Sequence, residues 1–185
     1  EIDGWRRGRR ERVTIWRVDG TVAALDQVPR PPVLDPVDGP AVTVLDIGWD
    51  VSQLPAASLH WAGRWLARAD AVVVVAEATV PSLRRLESTL KRLPGRLVGG
   101  QFLVAVLGPR PRRWPRHVAA AAGPLTDAAI QDNRLVWLPF VGELHSRGLD
   151  GLPLPKPLLA AASDIAVRLG VGSLNPSTSM KGHLT

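Results

Sequence analysis

Apolar and polar positions follow two different periods along the chain, and this alternation predicts strands followed by helices. The run from Val72 to Val75 is continuous and β-branched, as is typical of a strand that is covered on both faces. Directly after it, leucines recur at spacings of three and four residues, at Leu83, Leu86, Leu90 and Leu93. One apolar stripe at this period predicts an amphipathic helix.

The boundaries of this helix are also marked in the sequence. Pro81 suits the first turn of a helix, and Gly95 is a residue that can end one. Glu87 and Lys91 are four residues apart, which predicts an ion pair on the helix surface. Residues 69–95 are therefore predicted to form a strand, a turn and a helix.

Similar units occur on either side of this one. Strands are predicted over residues 12–18, 41–47, 101–108 and 134–140 from β-branched and apolar runs. Helices are predicted over residues 57–69, over 118–130 with an interruption at Gly123 and Pro124, and from Pro157 to a stop at Gly170. The inner face of the last helix is predicted to consist of Leu158, Ala162, Ile165 and Leu169.

Strands that alternate with helices predict an α/β fold, with a parallel sheet and helices on both faces. We expect a single α/β domain over residues 1–172. Within it, residues 28–40 are predicted to be a proline-rich connector, because prolines at this density exclude a helix or a central strand. Residues 173–185 are predicted to be a flexible tail.

Composition narrows the class of protein. The 185 residues include no cysteine, so disulfides and thiolate metal sites are excluded. No apolar run approaches the roughly 20 residues of a membrane span, and the first residues lack the apolar stretch of a signal peptide. We therefore predict a cytoplasmic protein. The chain begins with Glu1 rather than methionine, so we expect it to be part of a longer protein, incomplete at its amino terminus.

The net charge of +6 is carried mainly by arginine, in two clusters. One comprises Arg6, Arg7, Arg9, Arg10 and Arg12, and the other comprises Arg110, Arg112, Arg113 and Arg116. Guanidinium groups bind phosphate, so both clusters are candidate anion-binding sites for nucleic acid or for an anionic membrane surface. The alternative is a solvated basic surface without a partner.

Four stretches, taken in order, resemble the MinD and ParA family of P-loop ATPases, which includes the pilus-assembly positioning ATPases. They are "VTVLDIGWD", "ADAVVVVAEATVPSLRRLESTL", "FLVAVLGPR" and "VWLPFVGELHSRGLDGLPLP". The resemblance covers residues 41–170. It implies a P-loop NTPase-like, Rossmann-like three-layer fold, ATP and Mg²⁺ as cofactors, and a homodimer or partner protein, at a nucleoid or membrane surface.

The resemblance also implies site residues. Asp46 would be the catalytic carboxylate and the metal ligand, holding the shell of Mg²⁺ or the attacking water, and Gly48 would lie near the γ-phosphate. Gly108 stands where the family usually has asparagine, and Pro139, Phe140 and Val141 would lie near the adenine. The alternative for Asp46 is that it only caps a loop at a strand end.

One part of the family pattern is missing. The sequence contains no G-x-x-x-x-G-K-[ST] segment, so the backbone amides and lysine that hold the phosphates are absent. We therefore expect no cofactor on this chain alone, and ATPase activity only if a phosphate loop precedes Glu1 in the parent protein. The alternative is a non-enzymatic pseudo-ATPase scaffold, or a module that binds anions or nucleic acid.

Aromatic residues and histidines add little to these hypotheses. The tryptophans at positions 16, 49, 61, 65 and 137 are predicted to be core or boundary residues rather than a binding platform. His60, His117, His145 and His183 have no adjacent nucleophile pattern and are predicted to be surface residues or histidines whose hydrogen bonds are satisfied within the fold. A conventional hydrolase is accordingly a poor interpretation of this sequence.

Overall fold

A computed structural model describes residues 4–10, 13–32, 42–48, 61–93, 101–147 and 152–171. The chain divides into two compact units, residues 1–68 and residues 69–185. The connector beyond residue 32, the whole of the predicted tail, and His60, His183, Trp49 and Gly95 lie outside the described residues.

The described part of the first unit contains an antiparallel strand pair and one α-helix. Strand β1 spans Trp5–Arg10 and pairs with β2, Val13–Val18. A 3₁₀ turn follows at Leu25–Gln27, and helix α1 spans Trp61–Arg68. The predicted strand at 12–18 is confirmed as β2, and the described part of the predicted helix at 57–69 is confirmed as α1. Strand β1 was not predicted, because its sequence WRRGRR shows no apolar period.

A small core forms in this unit around Trp61. Trp61, Ala62 and Val28 are buried, and the Trp61 indole N–H donates a hydrogen bond to the Val28 carbonyl oxygen at 3.1 Å. The residues that pack against them are Val18, Val22 and Leu45. The core therefore joins β2, the turn region and α1.

The strand predicted over residues 41–47 is wrong for its described part. Residues 42–48 are irregular, and Val42 and Val44 are 43% and 86% exposed. A β-branched sequence favours a strand only where a neighbouring strand and a half-buried surface are present. In the structure, Leu45 packs against the Trp61 core instead.

The second unit is an α/β layer structure. Strands β3 (Ala71–Glu77), β4 (Gln101–Leu107) and β5 (Leu135–Leu138) form a parallel sheet in the order β3-β4-β5. Every residue of β4 from Phe102 to Val106 is buried, so both faces of the central strand are covered. The α/β class, with a parallel sheet flanked by helices, is therefore confirmed.

The described residues of this unit include five α-helices. They are α2 (Val80–Arg92), α3 (Arg116–Ala119), α4 (Pro124–Gln131), α5 (Gly142–Arg147) and α6 (Lys156–Arg168). Helix α2 packs on β3 and on α4, and α6 packs on β5. The predicted interruption at Gly123 and Pro124 is confirmed, since it separates α3 from α4.

Helix α2 forms as its leucine stripe predicts. Leu83, Leu86 and Leu90 are buried, Pro81 lies in the first turn, and the Thr79 hydroxyl accepts a hydrogen bond from the Ser82 N–H. This side-chain cap satisfies one of the amide groups left unpaired at a helix start.

The ion pair predicted between Glu87 and Lys91 is wrong. Glu87 is only 8% exposed and lies against α4, whereas Lys91 is exposed. Both carboxylate oxygens of Glu87 accept hydrogen bonds from residues at the start of α4. Glu87 therefore binds the start of α4 and not Lys91 on its own helix.

The last helix differs from its prediction by one position on its inner face. Helix α6 begins at Lys156 with Pro157 in its first turn, and its buried alanine is Ala161, whereas Ala162 is exposed. Gly170 follows with φ +66°, the left-handed conformation that ends many helices. The predicted start and stop are therefore confirmed, but Ala162 as an inner residue is not.

Candidate anion-binding site

The loops that follow β3, β4 and β5 meet at the carboxyl edge of the sheet. The N–H of Ala78 donates to the Leu107 carbonyl oxygen at 2.9 Å, and the N–H of Gly108 donates to the Leu138 carbonyl oxygen at 3.1 Å. The ladder thus continues one residue past the strand ends. It brings Gly108 next to the segment containing Pro139, Phe140 and Val141, as expected for loops that follow neighbouring parallel strands.

Gly108 has a conformation that favours glycine. Its φ is +123°, and a Cβ built on it would lie 3.1 Å from the Ala78 Cβ. Its carbonyl oxygen accepts a hydrogen bond from the Trp137 indole N–H. This carbonyl is therefore occupied by a protein donor, and the chain leaves β4 through a tightly defined turn.

We term residues 108–116 the arginine loop. The Trp114 indole N–H donates to the Pro109 carbonyl oxygen at 2.8 Å, and a 3₁₀ turn spans Pro111–Arg113. The Arg110 guanidinium lies over the Trp137 ring, 4.6 Å from its centroid, in a cation–π contact. Trp114 thus links the later part of the loop to its start, and Trp137 orients one arginine.

The arginine side chains of this loop point to solvent. All four are exposed, at Arg110, Arg112, Arg113 and Arg116. Among the described residues, none of them forms an ion pair with a carboxylate. The loop therefore presents a concentrated positive charge that a phosphate-bearing anion would neutralise.

Phe140 adds an apolar surface to the same edge. Pro139 is buried and fixes the chain, whereas the Phe140 side chain is 59% exposed. The Phe140 ring contacts the His145 ring at a centroid distance of 5.5 Å. An exposed ring at the same edge as a basic loop can stack on a nucleobase, while the arginines bind the phosphates of the nucleotide.

The structure does not assign Asp46 and Gly48 to this edge. Both belong to the first unit, in the irregular segment 42–48, and Asp46 is exposed. A Cβ at Gly48 would meet nothing within 4 Å. Over the described ranges, no group of three or more acidic or histidine side chains is arranged to hold a metal ion. The catalytic and Mg²⁺-binding roles of Asp46 stay predictions.

The roles of Trp114 and Trp137 were missed from the sequence. Trp137 is half-buried, as predicted for a boundary residue. It belongs to β5, whereas its partners Gly108 and Arg110 lie in the loop that follows β4. The position of Trp114 within the arginine run could have indicated a role in that loop. The two described histidines, His117 and His145, are exposed as predicted.

Comparison of the chain with protein-family models, with curated proteins and with solved structures gives no match. Within the described ranges, no helix combines the length and the apolar character that crossing a membrane requires. The fold thus defines a class, an α/β unit with a parallel sheet and a basic carboxyl edge. The family resemblance rests on the four stretches of sequence.

Proposed function

We propose that residues 69–171 belong to the nucleotide-binding sheet of a MinD/ParA-like positioning ATPase. The observation that carries this proposal is the outer edge of β3. No strand among the described residues pairs with that edge, and Val75 is 67% exposed while Val72, Val73 and Val74 are only half-buried. Parallel strands of this composition are normally covered on both faces, and an exposed apolar edge is a template for pairing with a further strand.

In this proposal, the parent protein supplies a further strand that pairs with β3 and leads into a glycine-rich loop. That loop would hold the triphosphate with backbone amides and a lysine, next to the carboxyl edge described above. Phe140 would contact the adenine. The family resemblance alone assigns Asp46 to the Mg²⁺ shell. The parent would dimerise on ATP and position cargo at a nucleoid or membrane surface.

The test begins with the protein purified from its natural source. Its intact mass and amino-terminal peptides show whether a glycine-rich loop with lysine precedes Glu1, and its ATP turnover is then measured. We expect Asp46→Asn to abolish turnover and Phe140→Ala to raise the KM for ATP. Asp132→Asn, which changes another exposed carboxylate, is the control and should leave both values unchanged. A native chain that carries no such loop removes the ATPase proposal.

A second candidate function is favoured by the arginine loop. On this alternative, the chain is a non-enzymatic module of the same fold that binds an anionic polymer such as single-stranded nucleic acid. The supporting observation is that four exposed arginines and an exposed phenylalanine belong to loops that follow neighbouring strands at one edge of the sheet. Alternating basic and aromatic groups are how single strands are bound without sequence readout.

Binding of a labelled single-stranded oligonucleotide at several salt concentrations tests this alternative. The variant with Arg112→Ala and Arg113→Ala should bind more weakly. It should also reduce the slope of log K against log salt by about 1.4, since each phosphate contact on a single strand contributes roughly 0.7. Arg84→Ala with Arg85→Ala, on the exposed face of α2, removes the same charge and serves as control. Equal losses in both variants would rule out a site at the loop.

A further inference from the structure

The first unit contains a two-stranded sheet of its own, formed by β1 and β2. We term residues 5–10 and 13–18 the ribbon. One end is anchored, because Trp5 is buried and its indole N–H donates to the Arg30 carbonyl oxygen at 2.8 Å. Toward the other end, Ile15 is 58% exposed. The ribbon is thus fixed at its base and accessible along its length.

The arginines of the ribbon occupy both of its faces. Residues opposite each other in an antiparallel pair share a face, and successive residues alternate between faces. Arg7, opposite Trp16, shares one face with Arg9, whereas Arg6 and Arg17 lie directly opposite each other on the second face. All four arginine side chains are exposed.

Arg6 and Arg17 concentrate positive charge on one face of the ribbon. Neither strand contains an acidic residue, and like charges directly opposite each other, as at Arg6 and Arg17, destabilise an antiparallel pair. The Arg6 Nε lies 2.6 Å from an Asp19 carboxylate oxygen, but these side chains are 73% and 43% exposed, so solvent screens the contact. An anionic partner would remove the repulsion.

Two further features favour close approach of that partner. The Arg7 guanidinium lies over the Trp16 ring at 5.5 Å, which restricts its orientation before any partner binds. Gly8, between Arg7 and Arg9, has open space where a Cβ would stand. A glycine inside a strand often marks a place where another molecule approaches the backbone.

We propose that the ribbon binds in the major groove of double-stranded DNA. The major groove is about 12 Å wide and admits a two-stranded ribbon, whose strands are about 4.8 Å apart. Phosphates line both walls of the groove, so arginines on both faces find partners. A flat anionic membrane would contact one face and leave the arginines of the other without phosphate. The ribbon lies in a different unit from the arginine loop. Failure of the proposed function would therefore leave the proposal for the ribbon standing, and the reverse also holds.

The experiment measures binding of the full chain to a labelled 20-base-pair duplex by fluorescence anisotropy over a range of salt concentrations. Arg7→Gln and Arg17→Gln each remove one exposed arginine, one from each face. We expect each variant to bind more weakly and to reduce the slope of log K against log salt by about 0.9, the value for one phosphate contact on B-DNA. Gly8→Val should lower the affinity without changing the slope, because it obstructs approach but keeps the charge. Circular dichroism verifies that every variant is folded.

The control is Arg84→Gln, which removes one exposed arginine from α2 and should leave the slope unchanged. A control variant that lowers the slope as much as the ribbon variants would overturn the proposal, since net charge alone would then account for binding. A loss confined to one face of the ribbon, or unchanged binding by Gly8→Val, would overturn insertion into a groove. Vesicles containing anionic phospholipid provide the remaining outcome: if the ribbon variants weaken vesicle binding and leave duplex binding unchanged, the partner is a membrane and the proposal fails.

Discussion

At the scale of single residues, Glu87 joins two helices of the second unit. One carboxylate oxygen accepts from the Leu125 N–H at 3.2 Å, and the other accepts from the N–H and the hydroxyl of Thr126, each at 3.0 Å. Leu125 and Thr126 lie in the first turn of α4, whose own N-cap residue, Gly123, has no side chain to supply a cap. Glu87 therefore acts as the cap of a helix 38 residues away.

We predict that Glu87→Ala lowers the free energy of unfolding by about 2–3 kcal/mol, because two amides and a buried hydroxyl lose a charged acceptor. Urea denaturation measures this change. Lys91→Ala, on the same helix, should stay within about 0.5 kcal/mol of the parent, since Lys91 is exposed and not paired with Glu87. A comparable loss in both variants would contradict the assignment of Glu87 to α4.

Gly123 is constrained by the same carboxylate. A Cβ at this position would lie 2.4 Å from the Glu87 Cδ, and Glu87 cannot move away without losing its hydrogen bonds to α4. We predict that Gly123→Ala destabilises the protein by about 1–3 kcal/mol through this overlap. In the background of Glu87→Ala the same substitution should be nearly neutral. If the two changes are additive in urea denaturation, the overlap is not the cause.

At the scale of elements, the strands of the parallel sheet differ in how deeply their side chains are buried. Val104 in the central strand β4 is fully buried, whereas Val75 in the edge strand β3 is 67% exposed. We predict that Val104→Thr lowers the free energy of unfolding by about 1–3 kcal/mol, since a hydroxyl is buried there. Val75→Thr should change it by less than about 0.5 kcal/mol. Thermal or urea unfolding compares the pair, and a large loss for Val75→Thr would show that its side chain is covered.

The elements that the sequence predicts well are those whose signal is local. Helix α2 has a leucine stripe, a capping threonine and a proline in its first turn, and β4 is a continuous apolar run. Strand β1 has none of these, because WRRGRR becomes a strand only through its register with β2. The opposite error occurred at residues 42–47, where β-branched residues favour a strand but the segment pairs with no strand among the described residues.

The candidate site, too, is only partly predictable from local sequence signals. The arginines at 110, 112, 113 and 116 are visible as charge in the sequence, and the return of the loops to one edge follows from parallel strands. The contact of Trp137 with Gly108 and Arg110 joins residues that are 27–29 positions apart, and no local pattern encodes it. Sequence therefore predicts which groups carry the charge, and the structure is needed to show what orients them.

At the scale of the whole molecule, contacts concentrate within the two units rather than across the chain. We predict that Glu87→Ala accelerates amide hydrogen exchange in α2 and α4 and leaves exchange in β1 and β2 unchanged, because local opening follows cooperative units. Mass spectrometry of peptides from each region measures this. Faster exchange in the ribbon as well would indicate that the chain unfolds as one unit.

The capping of α4 by Glu87 also has a consequence for the order of events in folding. An eight-residue helix is marginal in isolation, and α4 begins at a glycine that offers no cap of its own. Helix α2 carries its own threonine cap and leucine stripe, so it can form from local signals. Helix α4 should therefore become persistent only after α2 has docked and delivered its carboxylate, and the turn between α3 and α4 is expected to be among the last parts of the second unit to acquire its final geometry.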